Sequence, residues 1–546
     1  MARAGYACTP ATPYSRPLRR DWLIVRCGID IYSSLGSFDP YTRAVKPILP
    51  LWAALLVAAA SGPIMDAGFP DKNLWPLTLV AVCLILLTLI GRRLGSSLLV
   101  GFIAGAAFYF THIQWASLFL GPLPMSALAV LESLFFAAGA AAVALAYSSI
   151  PKVWPGAPGR LGLLPVTVAG LWTAREAWSS VWPYGGFSWG RVALSQSEGP
   201  FAPLFAWFGI SGVTFLMVLL AAVTVEAVRI AGVRPLVRAS VVIGLASLML
   251  VLPAWPTKAE GTIRVAAVQG NGRAGYFDSS SARDLLQAQL DATTSLFGQS
   301  VDVVLWPEGT TYDDPMTDPY TTGVFDYVSR QMDAPLIAQG VSERNSLHYN
   351  TAVLWQAGKG VLDFYDKKHP VPFGEYIPDR EFWRQFAPDL IDLIQREYTP
   401  GSTDNVFDID GTIVGINICF DIVDDQILTE SVKQGAQVIF ASSNNADFGR
   451  TDESAQQLAM ARIRAIELGR SVVNISTVGL SAIVAPDGSV IQQLPWFTAG
   501  AMVEDLQTSS VITPAVSFGR QLEWLVSLLA LGTLVVAWFP LSIRRR

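Results

Sequence analysis

Three residues of complementary chemistry close apolar runs in this 546-residue chain: Glu308 in VDVVLWPE, Lys367 in FYDKKHPVPFGEYIP and Cys419 in TIVGINIC. A cysteine attacks a carbonyl carbon as its thiolate, so it needs a proton acceptor or a neighbouring positive charge. A glutamate can take that proton, and a lysine can balance the oxyanion that forms on the substrate. With such neighbours Cys419 is expected to ionise more readily than a free cysteine. Taken singly, each has a plainer reading. A glutamate at a strand end and one lysine of the pair Lys367-Lys368 are usually solvated, and a lone cysteine is usually a small core residue. The three together describe covalent acyl chemistry. The four cysteines, at 8, 27, 83 and 419, show neither metal-ligand spacing nor a disulfide framework.

Such a constellation needs rigid strand ends to hold it. IRVAAVQ (263–269), VDVVLW (301–306), APLIAQGV (334–341), NTAVLWQ (350–356), TIVGINICF (412–420), AQVIFASS (436–443) and SVVNIST (471–477) are strand-like. ARDLLQAQLDATTSLF and SAQQLAMARIRAIELG have helical spacing, the second with Gly469 as its C-cap. SAIVAP and SVIQQL flank Asp487-Gly488, a hairpin signal. Strands alternating with helices predict an α/β or layered α+β domain over residues 260–510.

The rest of the chain lives in another solvent. With 51% hydrophobic and 15% charged residues and a mean hydropathy of +0.40, the chain is too apolar for one soluble globule. Eight stretches are apolar over a length that crosses a bilayer: roughly 46–65, 74–91, 97–120, 125–149, 162–182, 209–228, 237–254 and 521–540. This divides the chain into a tail (1–44), seven helices (45–256), the inserted domain (260–510), and an eighth helix with its tail (519–546). Lys and Arg fall in every other short loop: Arg16 to Lys46, Arg92-Arg93, Lys152 and Arg160, Arg229 to Arg238, and Arg544 to Arg546. By the bias of positive charge towards the cytoplasm, both termini are expected inside and residues 260–510 outside. Residues 1–44 contain no signal-peptide apolar region.

WPE at 306–308, K-x-x-x-V-P-F-G-E-Y-x-P across 367–378, and a strand ending in cysteine with an acidic residue behind it resemble the nitrilase superfamily. The eight-span frame, VQGN (268–271), PYGGFSW (183–189) and MARIRAIELGR (460–470) narrow the resemblance to its membrane-bound branch, the apolipoprotein N-acyltransferases, over residues from about 45 to 545. The resemblance implies an αββα sandwich carried by about eight transmembrane helices. It implies Cys419 as nucleophile, Glu308 as general base and Lys367 as oxyanion partner, with Glu375, Phe420 and Asp421 as supporting residues. It further implies a bacterial inner-membrane enzyme with its catalytic domain on the extracytoplasmic face. Such an enzyme moves an acyl chain from a glycerophospholipid, through a cysteine thioester, to the α-amine of a diacylglyceryl-modified apolipoprotein. The mechanism so implied needs no metal or soluble cofactor; no nucleic-acid partner is expected, and the oligomeric state is left open.

Two departures from the family pattern stand out. Cys419-Phe420-Asp421 replaces the frequent Cys-Tyr-Glu, which puts a hydrogen-bonding role for that pair in doubt. Asp447 stands where many relatives carry tryptophan, so no aromatic substrate contact is expected there. Trp182, Phe187, Trp189 and Phe277 are candidates to line a lipid cleft, or equally an interfacial aromatic belt. Arg175 and Glu176 are costly in hydrocarbon; snorkelling to the interface is the simpler account, mutual support or function the other. Two further classes remain open at this point: a membrane-tethered amidase that passes its acyl-enzyme to water, and a non-catalytic membrane scaffold or transporter.

Overall fold

A computed structural model describes residues 46–543, with side chains up to Phe539. The expected tail 1–44, with Cys8 and Cys27, and the terminal Arg544 to Arg546 lie outside the described residues. Apolar runs with little periodicity produce the helices α1 (Leu51–Asp66), α2 (Pro76–Leu89), α3 (Leu94–His112), the short α4 (Ser117–Leu120), α5 (Pro122–Val153), α6 (Leu164–Ser179), α7 (Phe205–Arg229) and α8 (Pro235–Val251). Among the described residues, four helical segments are long and apolar enough to cross a membrane: Leu94–His112, Pro122–Val153, Ala202–Arg229 and Pro514–Phe539. α1, α2 and α8 are apolar but shorter, and α6 carries the Arg175-Glu176 pair. Small residues set the packing, as helix association without water requires. Gly101 and Gly105 of α3 lie so close to α5 that a Cβ on either would stand 2.4 Å from Ala140 Cβ or 2.7 Å from Phe136 Cβ.

Arg175 and Glu176 do not snorkel. They are 8% and 2% exposed, turned into the helical bundle. Glu176 accepts hydrogen bonds from Trp172 Nε1 (2.8 Å), Arg175 Nη2 (3.2 Å), Val192 N (3.2 Å) and Thr214 Oγ1 (3.0 Å), and the Arg175 guanidinium lies over the Phe136 and Trp172 rings. Mutual support outcompetes the interface because a paired, hydrogen-bonded charge no longer needs water.

The following segment forms twelve strands: β1 (Gly261–Gln269), β2 (Val303–Leu305), β3 (Leu336–Arg344), β4 (Leu347–Gln356), β5 (Gly360–Asp366), β6 (Val406–Ile409), β7 (Thr412–Ile418), β8 (Val438–Ser443), β9 (Ser471–Ser476), β10 (Ser481–Val484), β11 (Val490–Leu494) and β12 (Gly500–Thr508). They make two six-stranded sheets, β12-β1-β2-β3-β4-β5 and β11-β10-β9-β8-β7-β6. The interleaved helices are α9 (Ala282–Thr294), α10 (Pro319–Met332), the short α11 (Arg380–Arg384) and α12 (Pro388–Ile391), α13 (Asp425–Lys433), α14 (Asp452–Leu468) and finally α15 (Pro514–Ile543).

Period-two alternation assembles four layers. In β1, Ile263, Val265 and Ala267 enter the core between the sheets with Ile416, Ile418, Val438 and Phe440, while Ala266 and Val268 face Leu286 of α9 and Phe325 of α10. On the second sheet Ile439 and Val472 face α13 and α14. The outer side of that helical layer is not solvated. Ile427 and Leu428 of α13 and Met460 and Ile463 of α14 share one buried core with Val213 and Met217 of α7. This is the expected αββα sandwich, with one helical layer seated on the apolar bundle. Gly469 caps α14 in the left-handed region (φ 65°), as its position predicted. β5, β6 and β12 and helices α10 and α13 were not anticipated.

Candidate active site

The parallel strands β1-β2-β3 and β7-β8-β9 present their carboxyl ends to one edge of the sandwich. Glu308 follows β2, Cys419 follows β7 and Asn444 follows β8. β5 is antiparallel to β4, which is antiparallel to β3, so Lys367 emerges at that same edge. Topology alone therefore gathers side chains from sequence positions more than a hundred residues apart.

Lys367 is 1% exposed and lies 2.8 Å from Glu375 Oε2 and 3.8 Å from Glu308 Oε1. Burial works against its charge, but Glu375 and Glu308 outweigh that and hold the ammonium protonated. Glu308 Oε1 accepts from Asn350 Nδ2 (2.7 Å) and its Oε2 from the backbone N of Asn444 (2.9 Å). Burial pushes the Glu308 carboxyl up; the Lys367 charge pulls it down, and Glu375 pushes it up again. Hydrogen bonds from Asn350 and the Cys419 thiol also favour its charged form. Glu375 is anchored by Val371 N (2.6 Å) and by the same Asn350 Nδ2 (3.0 Å).

Cys419 is half-buried and begins a 3-10 turn, Cys419–Val423, with a left-handed backbone (φ 49°). A non-glycine residue held there costs free energy and persists only where its surroundings enforce it. Burial pushes the Cys419 thiol well up, and the Glu308 carboxylate adds to this against the pull of Lys367. The expectation of a readily ionised thiol is thus overturned: desolvation by the sandwich outweighs the single cation, so the resting sulfur carries its proton.

Asp421 does hydrogen-bond, contrary to the doubt raised by its shortened side chain. Its Oδ2 accepts from Ile418 N (3.0 Å) and from Tyr365 Oη (2.9 Å), tying the cysteine turn back to β7 and across to β5. Burial pushes its carboxyl up to about 6. Phe420 stacks on Trp189 (6.0 Å between ring centres, 8°) and Phe187 (6.3 Å, 17°), so two of the four aromatic candidates meet the turn that begins at Cys419. The other two do not. Trp182 is 55% exposed against Phe135 and Trp178, and Phe277 is 54% exposed against Phe119 and Tyr276. Asp447 accepts a hydrogen bond from the backbone N of Tyr276 (2.9 Å).

Reasoning from the sequence missed Asn350, which bridges two carboxylates, and Asn444, whose N–H reaches Glu308. A polar residue opening the apolar run NTAVLW was the available signal for the first. The second sat inside the quoted stretch Asn444-Asn445-Ala446-Asp447. Among the described residues no group of three or more His, Cys, Asp or Glu converges as a metal site would.

Two family models match the chain. Residues 61–223 match the apolipoprotein N-acyltransferase N-terminal domain, and residues 264–514 match the carbon-nitrogen hydrolase family. An apolipoprotein N-acyltransferase of Mycolicibacterium smegmatis is 30% identical over 545 residues, covering 92% of this chain and 89% of that protein. One from Azotobacter vinelandii is 28% identical over 91% of this chain and 96% of its own. Among solved structures, an amidase from Nesterenkonia sp. matches 46% of this chain and 93% of its own at 19% identity, with a TM-score of 0.35. With both family models in register and near-complete coverage of its relatives, the chain belongs to the apolipoprotein N-acyltransferase family.

Proposed function

We propose that this protein transfers a fatty acyl chain from a glycerophospholipid to the α-amino group of the diacylglyceryl-modified N-terminal cysteine of apolipoproteins, through a thioester on Cys419. The observation that carries the reading is the convergence of Glu308, Lys367 and Cys419 at one sandwich edge, beneath aromatic residues contributed by the apolar helical part. In this scheme residues 45–256 and 519–546 form an eight-span frame in the bacterial inner membrane, and residues 260–510 form the catalytic domain on its outer face. Residues 1–44 are a cytoplasmic tail. Phe187 and Trp189 line the lipid approach; Trp182 and Phe277 serve as outer aromatic contacts.

Cys419 Sγ attacks the ester carbonyl as its proton passes to Glu308. A base raised by burial suits a thiol raised by burial, because proton transfer is easiest between groups of similar affinity. The oxyanion forms beside the Lys367 ammonium, which Glu375 keeps charged and aimed. When the carbon–oxygen bond breaks, Glu308 returns the proton to the glycerol oxygen and a lysophospholipid leaves. The lipoprotein amine then attacks the thioester, Glu308 takes its proton, the carbon–sulfur bond breaks, and the sulfur is reprotonated as the amide departs.

With phospholipid alone, the enzyme should release one equivalent of lysophospholipid and stop, with the acyl mass on Cys419. A diacylglyceryl-cysteine peptide with a free amine should discharge it, and the N-acetylated peptide should not. Steady release of free fatty acid without peptide would make the protein a lipid hydrolase instead.

A further inference from the structure

The turn that carries Cys419 is gripped from two sides. From the catalytic domain, Arg464 of α14, 1% exposed, donates its Nε to the Ile422 carbonyl (2.9 Å) and its Nη2 to Asp425 Oδ1 (2.7 Å), and also pairs with Glu467. From the helical part, the segment after α6 runs along the turn residue by residue. Phe187 and Trp189 stack on Phe420. Ser188 Oγ donates to the Val423 carbonyl (3.3 Å). Arg191, 3% exposed, donates Nη2 to the same carbonyl (3.3 Å) and forks onto Asp425, with Nη1 to Oδ2 at 2.7 Å and Nη2 to Oδ1 at 2.8 Å. Trp189 is fixed in turn by Gln456 of α14, whose Oε1 accepts its Nε1 at 2.6 Å.

These contacts fall on Phe420, Val423 and Asp425, within six residues of a cysteine whose backbone is left-handed. Such a conformation needs external restraint, and carbonyls in a short 3-10 turn have few partners of their own to supply it. A planar, bidentate guanidinium sets an angle as well as a distance, which an ammonium does not.

We propose that Phe187 to Arg191 brace the nucleophile turn and that Arg191 is a positioning residue for Cys419, acting through Val423 and Asp425. The proposal rests on the reading of Cys419 as the nucleophile. It makes the helical frame part of the catalytic machinery: the frame sets the aim of the sulfur as well as holding the enzyme at its lipid substrate.

The test uses the full chain in phospholipid vesicles, with Arg191→Met, Arg191→Lys and Cys419→Ala. Thermal midpoint, the fraction of Cys419 open to an alkylating probe, and kcat and KM for phospholipid are measured on each. In Arg191→Met, Asp425 keeps Arg464 as a partner, so the fold should survive. The acylation rate per alkylatable Cys419 should fall roughly 10- to 100-fold, as small misplacements of a reacting group do, while KM stays within about threefold. Arg191→Lys keeps the buried charge but not the fork, so it should recover the thermal midpoint and little of the rate; it also serves where the Met variant does not accumulate. A rate per alkylatable Cys419 within about twofold of the parent in both variants would overturn the positioning role, whatever happens to the thermal midpoint. Turnover by Cys419→Ala would instead overturn the nucleophile assignment beneath it.

Discussion

Asn350 offers the sharpest test of the site, because one amide group serves two carboxylates. Its Nδ2 is 2.7 Å from Glu308 Oε1 and 3.0 Å from Glu375 Oε1. The residue is 8% exposed and the Glu308 side chain 13%, so solvent screens the first bond little. Asn350→Leu keeps the number and branching of the side-chain heavy atoms and removes the donor. A hydrogen bond to a charged group contributes about 1.5–3 kcal/mol, so losing the Glu308 bond in the transition state lowers the acylation rate roughly 10- to 150-fold. The pH dependence has a definite sign. In the proposed reaction Glu308 accepts the thiol proton only when ionised; burial already raises its pKa, and the Asn350 bond opposes that rise. Without the bond the acid limb of the rate profile moves to higher pH, and the deficit is larger at about pH 6 than at about pH 9. Rapid-quench measurement of the first equivalent of lysophospholipid, across pH, reads both effects. A burst rate within about twofold of the parent at every pH, with the limb unmoved, would refute the assignment of Asn350 as the group that holds Glu308 in its proposed role.

Asp421, buried and pushed up to about 6, keeps its proton to higher pH in the folded state than in the unfolded one, so its effect is to lower stability as pH rises from about 4 to 6, with no further change above. Asp421→Asn retains an acceptor for Ile418 N and Tyr365 Oη, and should flatten that fall and raise stability near neutral pH by at most ~3 kcal/mol, read as thermal midpoint against pH; a steeper fall in the variant would contradict this. At the α3–α5 crossing, where a Cβ on Gly105 would stand 2.7 Å from Phe136 Cβ, Gly105→Val should separate the helices and lower the folded yield, while the same change at Gly95, with open space around it, should leave yield intact. For topology, a reporter active only outside the cytoplasm should work when fused after Thr257 and fail after Arg234. The reverse pattern would invert the orientation and remove access to outer-leaflet substrates.

The reach of the sequence differs between the scaffold and the site. Apolar length and alternation are local properties, and they announced the apolar helices, α9 and α14, most strands, the Gly469 cap and the 487–488 hairpin, but not α10 or α13. The chemical identity of Glu308, Lys367 and Cys419 was legible too, since each stands where an apolar run breaks off. Strands β5, β6 and β12 were not, because GVLDFYD, VFDI and GAMVEDLQT mix charge into their pattern, and only pairing with a neighbour makes them strands. Arg175 and Glu176 show the same limit from the other side: their cost in hydrocarbon was evident, but whether water or Thr214, Trp172 and Phe136 relieved it depended on which helices packed around them.

What the sequence determined by itself is therefore which parts of the chain are apolar enough for a bilayer and which polar side chains close the apolar runs, because both follow from residue type and short-range spacing. The tertiary structure alone decided how those groups behave. The thiol of Cys419 is raised rather than lowered, since burial in the sandwich outweighs the Lys367 charge. Asn350 and Asn444 became partners of Glu308 through strands that meet only in the sheet edge, and Arg191 reaches Asp425 across 234 residues of chain. Proton affinity and side-chain aim depend on distances of a few ångströms between parts of the chain that no local pattern connects.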